Sequence, residues 1–451
     1  MSDRSGSIDK TQTAKDAVAA NADNANAGTL PVWKRRELST AYIDAVRKGH
    51  SVTGVDVPFL ILTLVLLMAG VIMVLSASFA RSFVTIGQPM YFFTRQLVFA
   101  ISGVAIMLLV SRLHLRMISR WSMHLLVMSI ALLVLVLNVG IVVNGARRWL
   151  GVGNGNNLAT FQPSEIAKLA LILSFAQMSC KFGSKMKTFK YGVLPFAVIF
   201  TIMAVLLWLE PHKSAAIIII ALAAVMMFAG GTHAKWFVLA LAVVALLAGV
   251  VYFKYIRAPA DVAAEGDVSL RQVVDDNSEF LGYAGNRISS WLDPEADPLN
   301  SGLQVRQSLF AVGSGGLFGQ GLGQSRQKYM YLPEEHNDFI FAIVCEELGF
   351  IGALLILALY ALLIIRGFWL AIHSGDKYGA LITIGIMSLL SIQVFLNVAV
   401  VINLIPATGI SLPFFSYGGT ALWLQMTQMG IVLAVSKEKR AADVENEMDS
   451  D

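Results

Sequence analysis

Two aspartates, Asp293 and Asp297, each precede a proline within the segment Trp291 to Gly349. That segment is polar, glycine-rich and charged inside an otherwise apolar chain. Asp-Pro alone is ordinary turn punctuation. Position beside a glycine-rich run, just outside a membrane, is what makes either carboxylate a candidate base. Spacing does not choose between them.

A second charged group lies in NGARRWLGVGNGNNLATFQPSEIAKLALIL, residues 144–173. Pro163 with Ser164 and Glu165 behind it marks a helix start. Glu165 and Lys168 then fall one turn apart on the same face, at or just below the membrane surface. Charges at that depth are costly unless they meet water, protein or each other. One reading is a mutual ion pair that only orients the helix. The other is that Arg147, Arg148 and Lys168 present positive charge to an anionic headgroup. Glu346 and Glu347, near the start of a long apolar helix expected over 338–365, are expected at a shallow, wet depth and are further candidates for substrate contact. That helix would run about 42 Å, longer than the hydrocarbon slab.

The run Gly313 to Gly323 is not a phosphate-binding loop, because no Lys-Ser/Thr pair follows it. Nor is it a dinucleotide fingerprint, since no βαβ unit surrounds it. Its glycines let backbone pack tightly or approach a ligand closely. Seven scattered His and two Cys offer no metal-ligand spacing, and no disulfide is expected between Cys180 and Cys345.

The elements that must hold these groups are membrane helices. Of 451 residues, 56% are apolar and 14% charged, against roughly 45–50% and 25% in a soluble domain. The composition gives an all-α polytopic membrane protein with about ten transmembrane helices. They are expected at 57–78, 91–111, 122–143, 163–180, 191–209, 213–230, 235–254, 338–365, 379–403 and 417–436. A large extracytoplasmic loop, 255–337, separates the seventh from the eighth. Arg112, Arg116 and Arg120, then Lys181, Lys185, Lys187 and Lys190, then Lys235, Arg366, Lys377, Lys437, Lys439 and Arg440 all fall on one side of such a bundle. By the positive-inside rule that side is the cytoplasm, so both termini are cytoplasmic and the candidate residues face outward.

Residues 1–56 read as a disordered cytoplasmic tail without a cleavable signal, 57–436 as the membrane domain, and 437–451 as a second cytoplasmic tail. The net charge of +4 is spread over loops, so no nucleic-acid partner is implied. The connection Ile405 to Gly419 is apolar but broken by two prolines. It is expected to be a re-entrant or interfacial segment lining a cavity.

In NGARRWL, FQPSEIAKLALI, LEPHKSA, the whole Trp291–Phe350 stretch and NLIPATGISLPFFSYGGTAL, the chain resembles the SEDS family (shape, elongation, division and sporulation). The similarity covers about residues 55–440. LPEEHNDFIFAIVCEELG, QKYMYLP and the Glu210–His212 triplet resemble its cell-division branch, with the elongation branch as the alternative. Leu303 stands where an aromatic is usual and Thr420 where Ser is common.

The resemblance implies a peptidoglycan glycosyltransferase of the bacterial cytoplasmic membrane, at the division septum, that polymerises lipid II at the outer face. Implied partners are a class B penicillin-binding protein and other division membrane proteins. It also selects Asp297, not Asp293, as the essential carboxylate, and places Glu165 and Lys168 in the same outward cavity. An α-linked donor giving a β-1,4 polymer requires inversion, hence one base and no nucleophilic carboxylate. The departing diphosphate needs cations: Arg147, Arg148 and Lys168 are candidates, with a divalent cation (Mg or Mn) as an addition. A lipid transporter is the competing class, disfavoured because no internal repeat pairs the two halves.

Overall fold

The computed structural model describes residues 55–143, 146–152, 159–210, 212–252, 287, 290–295 and 302–450. Asp297 lies outside the described residues, as do 1–54 and most of the long 255–301 connection.

Among the described residues, ten long helices follow the ten expected spans: α1 (Val57–Ile86), α2 (Tyr91–Val110), α3 (Leu115–Val139), α4 (Pro163–Phe182), α5 (Leu194–Leu209), α6 (Lys213–Gly230), α7 (Ala234–Tyr252), α9 (Ile340–Ile372), α10 (Lys377–Val401) and α11 (Gly419–Ser450). A shorter helix, α8 (Leu303–Gly315), precedes α9. All but α7, α8 and α11 form candidate membrane spans by length and hydropathy, eight in number. The protein is a multi-pass membrane protein.

Helix boundaries follow local chemistry. Asp56 caps α1 by accepting from Phe59 N at 2.9 Å, and Pro58 sits in the first turn. Gly87 ends α1 in the left-handed region at φ 76°. Burial then sorts the helices. The apolar windows of α4 and α10 are 67% buried, against 22% for α2, which places α4 and α10 at the centre and leaves α2 facing lipid. α4 packs on α3, α6 and α10. The approach of α10 is close because Gly385 meets Ile172 and Met226, where a Cβ would come within 2.6 Å of both.

Asp56, Arg366 and Ser436 mark one end of the bundle. Arg366 Nε donates to Asp56 Oδ1 at 3.1 Å, and Asp56 N donates to Ser436 Oγ at 3.2 Å. The opposite end differs from the all-helical expectation. Three short antiparallel strands, β1 (Ile141–Val143), β2 (Ala146–Val152) and β3 (Ala159–Phe161), fill the connection expected to be only turns. Trp149 pairs with Ile141 and Leu150 with Phe161, so backbone groups that leave the helices satisfy one another.

The proline-broken connection, expected to be re-entrant or interfacial, folds back into the bundle against α1. Ile410, Leu412, Phe414 and Phe415 are buried, and the Phe414 carbonyl lies so close to Gly70 of α1 that a Cβ there would sit 2.2 Å away. The Tyr360 hydroxyl of α9 donates to the Pro413 carbonyl, and Phe414 N donates to Gln425 Oε1 at 2.9 Å. Irregular backbone survives at this depth because protein donors and acceptors surround it.

α9 is not the continuous helix expected over 338–365. It breaks at Gly349 (φ 69°, ψ −172°), a conformation open essentially to glycine. The glycine-rich run packs into the break. Gln320 N and Gly321 N donate to the Glu346 and Glu347 carbonyls at 2.9 and 3.0 Å, while Phe350 N and Ile351 N donate to Gly316 O and Leu317 O at 2.9 and 3.1 Å. Of the two uses open to these glycines, the structure displays the tight backbone packing.

Candidate functional site

At the strand-bearing end, β2, the start of α4, the α5–α6 turn, Arg287, Asp338 and the 402–418 loop bring charges together. Strand alternation separates the two arginines. Arg147 is exposed at the rim, whereas Arg148 is half-buried and acts electrostatically on Glu210, His212 and Asp338. Lys168 and Glu165 pair at 2.8 Å, both buried, and Lys168 also acts on His212.

The surroundings set the protonation of this cluster. Burial lifts Glu210 to about 8 although the Arg148 charge opposes it. Its carboxylate oxygens are buried without a hydrogen-bond partner, which suits a neutral acid better than an anion. Burial, then Arg148 and Lys168, pushes His212 down to about 3, so it is neutral. Asp338 rises to about 6, through burial and the Glu334 charge, against Arg287 and Arg148. The cluster therefore gathers three cations, Arg148, Lys168 and Arg287, of which Lys168 is paired with Glu165 and the two arginines act on Asp338.

The 402–418 loop packs against the cluster. Arg287 donates to the Ala407 carbonyl, Ser214 Oγ to the Thr408 carbonyl, and Trp291 Nε1 to Asn403 O at 3.0 Å. Asn397 Nδ2 bridges Asp338 O and Ile410 O, both at 2.7 Å. These contacts tie the segment entering Asp293 to the 402–418 loop. Asp293 itself accepts from Glu295 N at 3.1 Å in an Asx turn. Among the described residues no group of three His, Cys, Asp or Glu side chains could hold a metal ion.

Glu346 and Glu347 depart from expectation. Both are buried rather than wet. Glu346 accepts from Ser325 Oγ at 2.5 Å, Arg326 N at 2.9 Å and Gln327 N at 3.3 Å. Glu347 accepts from Ser76 Oγ at 2.6 Å and Lys328 Nζ at 3.0 Å. Their oxygens are thus filled by donors of the returning loop, and they anchor that loop to α1. Next to them Arg81 grips Glu335 through two bonds of 2.7 Å.

The sequence reading did not single out Glu210, His212, Asp338 or Arg287 as site residues. A signal existed for two of them: Glu210 and His212 interrupt adjoining apolar runs at a helix-to-helix turn.

A family profile described as "Cell cycle protein", covering FtsW, RodA and SpoVE, matches residues 57–441. Stage V sporulation protein E of Bacillus subtilis is 40% identical over 86% of this chain and 98% of its own length. A probable peptidoglycan glycosyltransferase FtsW of Trichlorobacter lovleyi is 36% identical over 87% of this chain and 96% of its own. Among solved structures, a chain from a peptidoglycan synthase complex that coordinates polymerization and crosslinking superposes with a TM-score of 0.67 at 26% identity, over 86% of this chain and 99% of that one. The rod shape determining protein RodA of Thermus thermophilus gives 0.59 at 25% identity, over 85% and 97%.

Proposed function

The chain belongs to the FtsW/RodA/SpoVE family of cell cycle proteins, and on that premise we propose that it is a peptidoglycan glycosyltransferase that polymerises lipid II during cell division. The observation that carries the reading is the gathering of Arg148, Lys168 and Arg287 around buried Glu210, His212 and Asp338 at one end of the bundle, against the 402–418 loop. Cations gathered at one end of a membrane bundle suit the diphosphate of a lipid-linked sugar. The headgroup stays at the membrane surface while the polyprenyl chain remains in the bilayer.

The reaction is one displacement. The 4-hydroxyl of the acceptor glucosamine attacks the anomeric carbon of the donor, the bond to the diphosphate breaks, and the configuration inverts. Asp297 takes the hydroxyl proton as general base, a role worth typically 10²–10⁴-fold. Arg148 and Lys168 stabilise the charge that grows on the diphosphate, with Arg147 at the rim as a first contact. Glu165 holds Lys168 in place. Glu346 and Glu347 support the loop and are not assigned to substrate. A divalent cation finds no three-residue ligand set among the described residues, and no step here runs through one.

The site faces outward and both termini lie in the cytoplasm, in line with the basic residues at the opposite end. A class B penicillin-binding protein is the proposed partner, supported by the likeness to a synthase complex, and the septum is the proposed location. The test is purified protein with that partner in vesicles supplied with lipid II alone. Long glycan strands are expected. Transfer of lipid II between leaflets without polymer would replace the enzyme reading by a transporter.

A further inference from the structure

The glycine-rich run leaves three large apolar side chains bare: Leu317, Phe318 and Leu322 are 62%, 82% and 55% exposed. They do not form an isolated patch. Phe350, Ile351, Leu354 and Leu355 on the adjoining stretch of α9 are also exposed, and continue down the lipid-facing side of that helix.

Depth follows from the helix itself. The Asp56–Arg366 ion pair, with Arg366 stacked 4.1 Å over Trp369, marks the membrane boundary at the opposite end. From Arg366 to Gly349 the helix rises about 26 Å at 1.5 Å per residue, less than the roughly 30 Å of bilayer hydrocarbon. Residues 316–321 hydrogen-bond to α9 between Glu346 and Ile351, so they lie at that height. Non-helical backbone there needs internal partners. The break in α9 provides them, through the four cross-bonds of Gly316, Leu317, Gln320 and Gly321. Beyond the run, exposed Tyr329 and Tyr331 and the exposed Arg326 match the composition of a membrane–water interface.

Behind the run lies a cleft of about 530 Å³ between α1 and α9, with Ala69, Leu322, Ile351, Leu355 and Leu359 in its lining. It is continuous with the lipid-facing surface. We propose that residues 316–323 are a re-entrant membrane element whose Leu317, Phe318 and Leu322 side chains lie in bilayer hydrocarbon, and that the cleft behind them holds the hydrocarbon chain of a bilayer lipid. Glu346, Glu347 and Lys328 fix the depth of the element from the protein side. The inference does not depend on the catalytic reading.

The experiment places nitroxide labels at Phe318→Cys, Leu322→Cys, Leu355→Cys and Glu295→Cys in full-length protein lacking Cys180 and Cys345, in phosphatidylethanolamine–phosphatidylglycerol vesicles. Labels at 318 and 322 are expected to relax like the one at 355, readily with oxygen and weakly with a water-soluble nickel chelate, and the label at 295 the other way round. Nickel access at 318 and 322 equal to that at 295 would overturn the proposal. In native membranes, a photo-crosslinking benzoylphenylalanine at Leu355 is expected to yield phospholipid adducts. Adducts confined to another protein's helix would reject the lipid occupant.

Discussion

Lys168→Met removes one half of the buried pair that anchors the positive cluster. Lys168 Nζ lies 2.8 Å from Glu165 Oε1, and the two side chains are 3% and 11% exposed. At an effective dielectric near 20 that separation corresponds to an attraction of about 6 kcal/mol. Much of it offsets the cost of taking both charges out of water. Loss of one partner leaves the other charge buried and alone, which typically costs about 3–5 kcal/mol. The assay is unfolding of purified protein by SDS titration in mixed micelles, run beside lipid II polymerisation for Lys168→Met, Glu165→Gln and the double variant. Each single variant is expected to lose stability of that order, and the double variant to regain most of it, since neither charge then remains unpaired. Polymerisation is expected to stay lost in all three. A double variant that recovers both stability and polymerisation would refute the substrate role of Lys168 and reduce the pair to a structural one.

Glu210 gives a pH signature. Raised from its ordinary 4.5 to about 8, it holds a proton in the folded chain that the unfolded chain releases. The Glu210 contribution to stability should therefore fall as pH rises from about 4.5 to 8 and level off above, by a few kcal/mol at most, and it is read as the difference between the natural chain and Glu210→Gln in SDS titrations at stepped pH. Gly349→Ala should destabilise by about 3 kcal/mol or more, because the residue would be held at φ 69° with its Cβ 2.2 Å from Gly319 N. Gly313→Ala, with nothing within 4 Å, serves as the control, and tryptic cleavage at exposed Arg326 reports the freed loop. For orientation, a cysteine at exposed Glu295 should react with an impermeant thiol reagent on intact cells lacking an outer-membrane barrier, and one at Ser184 only after lysis. The reverse pattern would put the site in the cytoplasm.

Apolar run length and punctuation made the helices and the re-entrant loop legible, because bilayer thickness and proline chemistry act locally. Pro163, Glu165 and Lys168 were readable for the same reason: one helical turn fixes their pairing. Long-range returns were hidden. Glu346 and Glu347 look like surface carboxylates until residues 325–328 fold back onto them. Gly349 looks like one more glycine in an apolar helix, since only the docked 316–321 backbone explains its strained angles. Glu210 and His212 come from one connection and Asp338 from another, and they acquire meaning only when Arg148, from a third, lies among them. Two of the strands escaped for want of length, since three residues carry too little alternation to announce themselves, and the seven of β2 are read as strand only once these partners are in place.

The central claim, that one carboxylate acts as base in an inverting displacement, is tested most directly by lipid II polymerisation with Asp297→Asn and Asp293→Asn, each confirmed to be inserted and stable. The account predicts that Asp297→Asn lowers glycan synthesis by at least about 100-fold, while Asp293→Asn, which keeps an acceptor for the turn bond from Glu295 N, stays within a few-fold of the natural chain. An indispensable Asp293 with a dispensable Asp297 would contradict it.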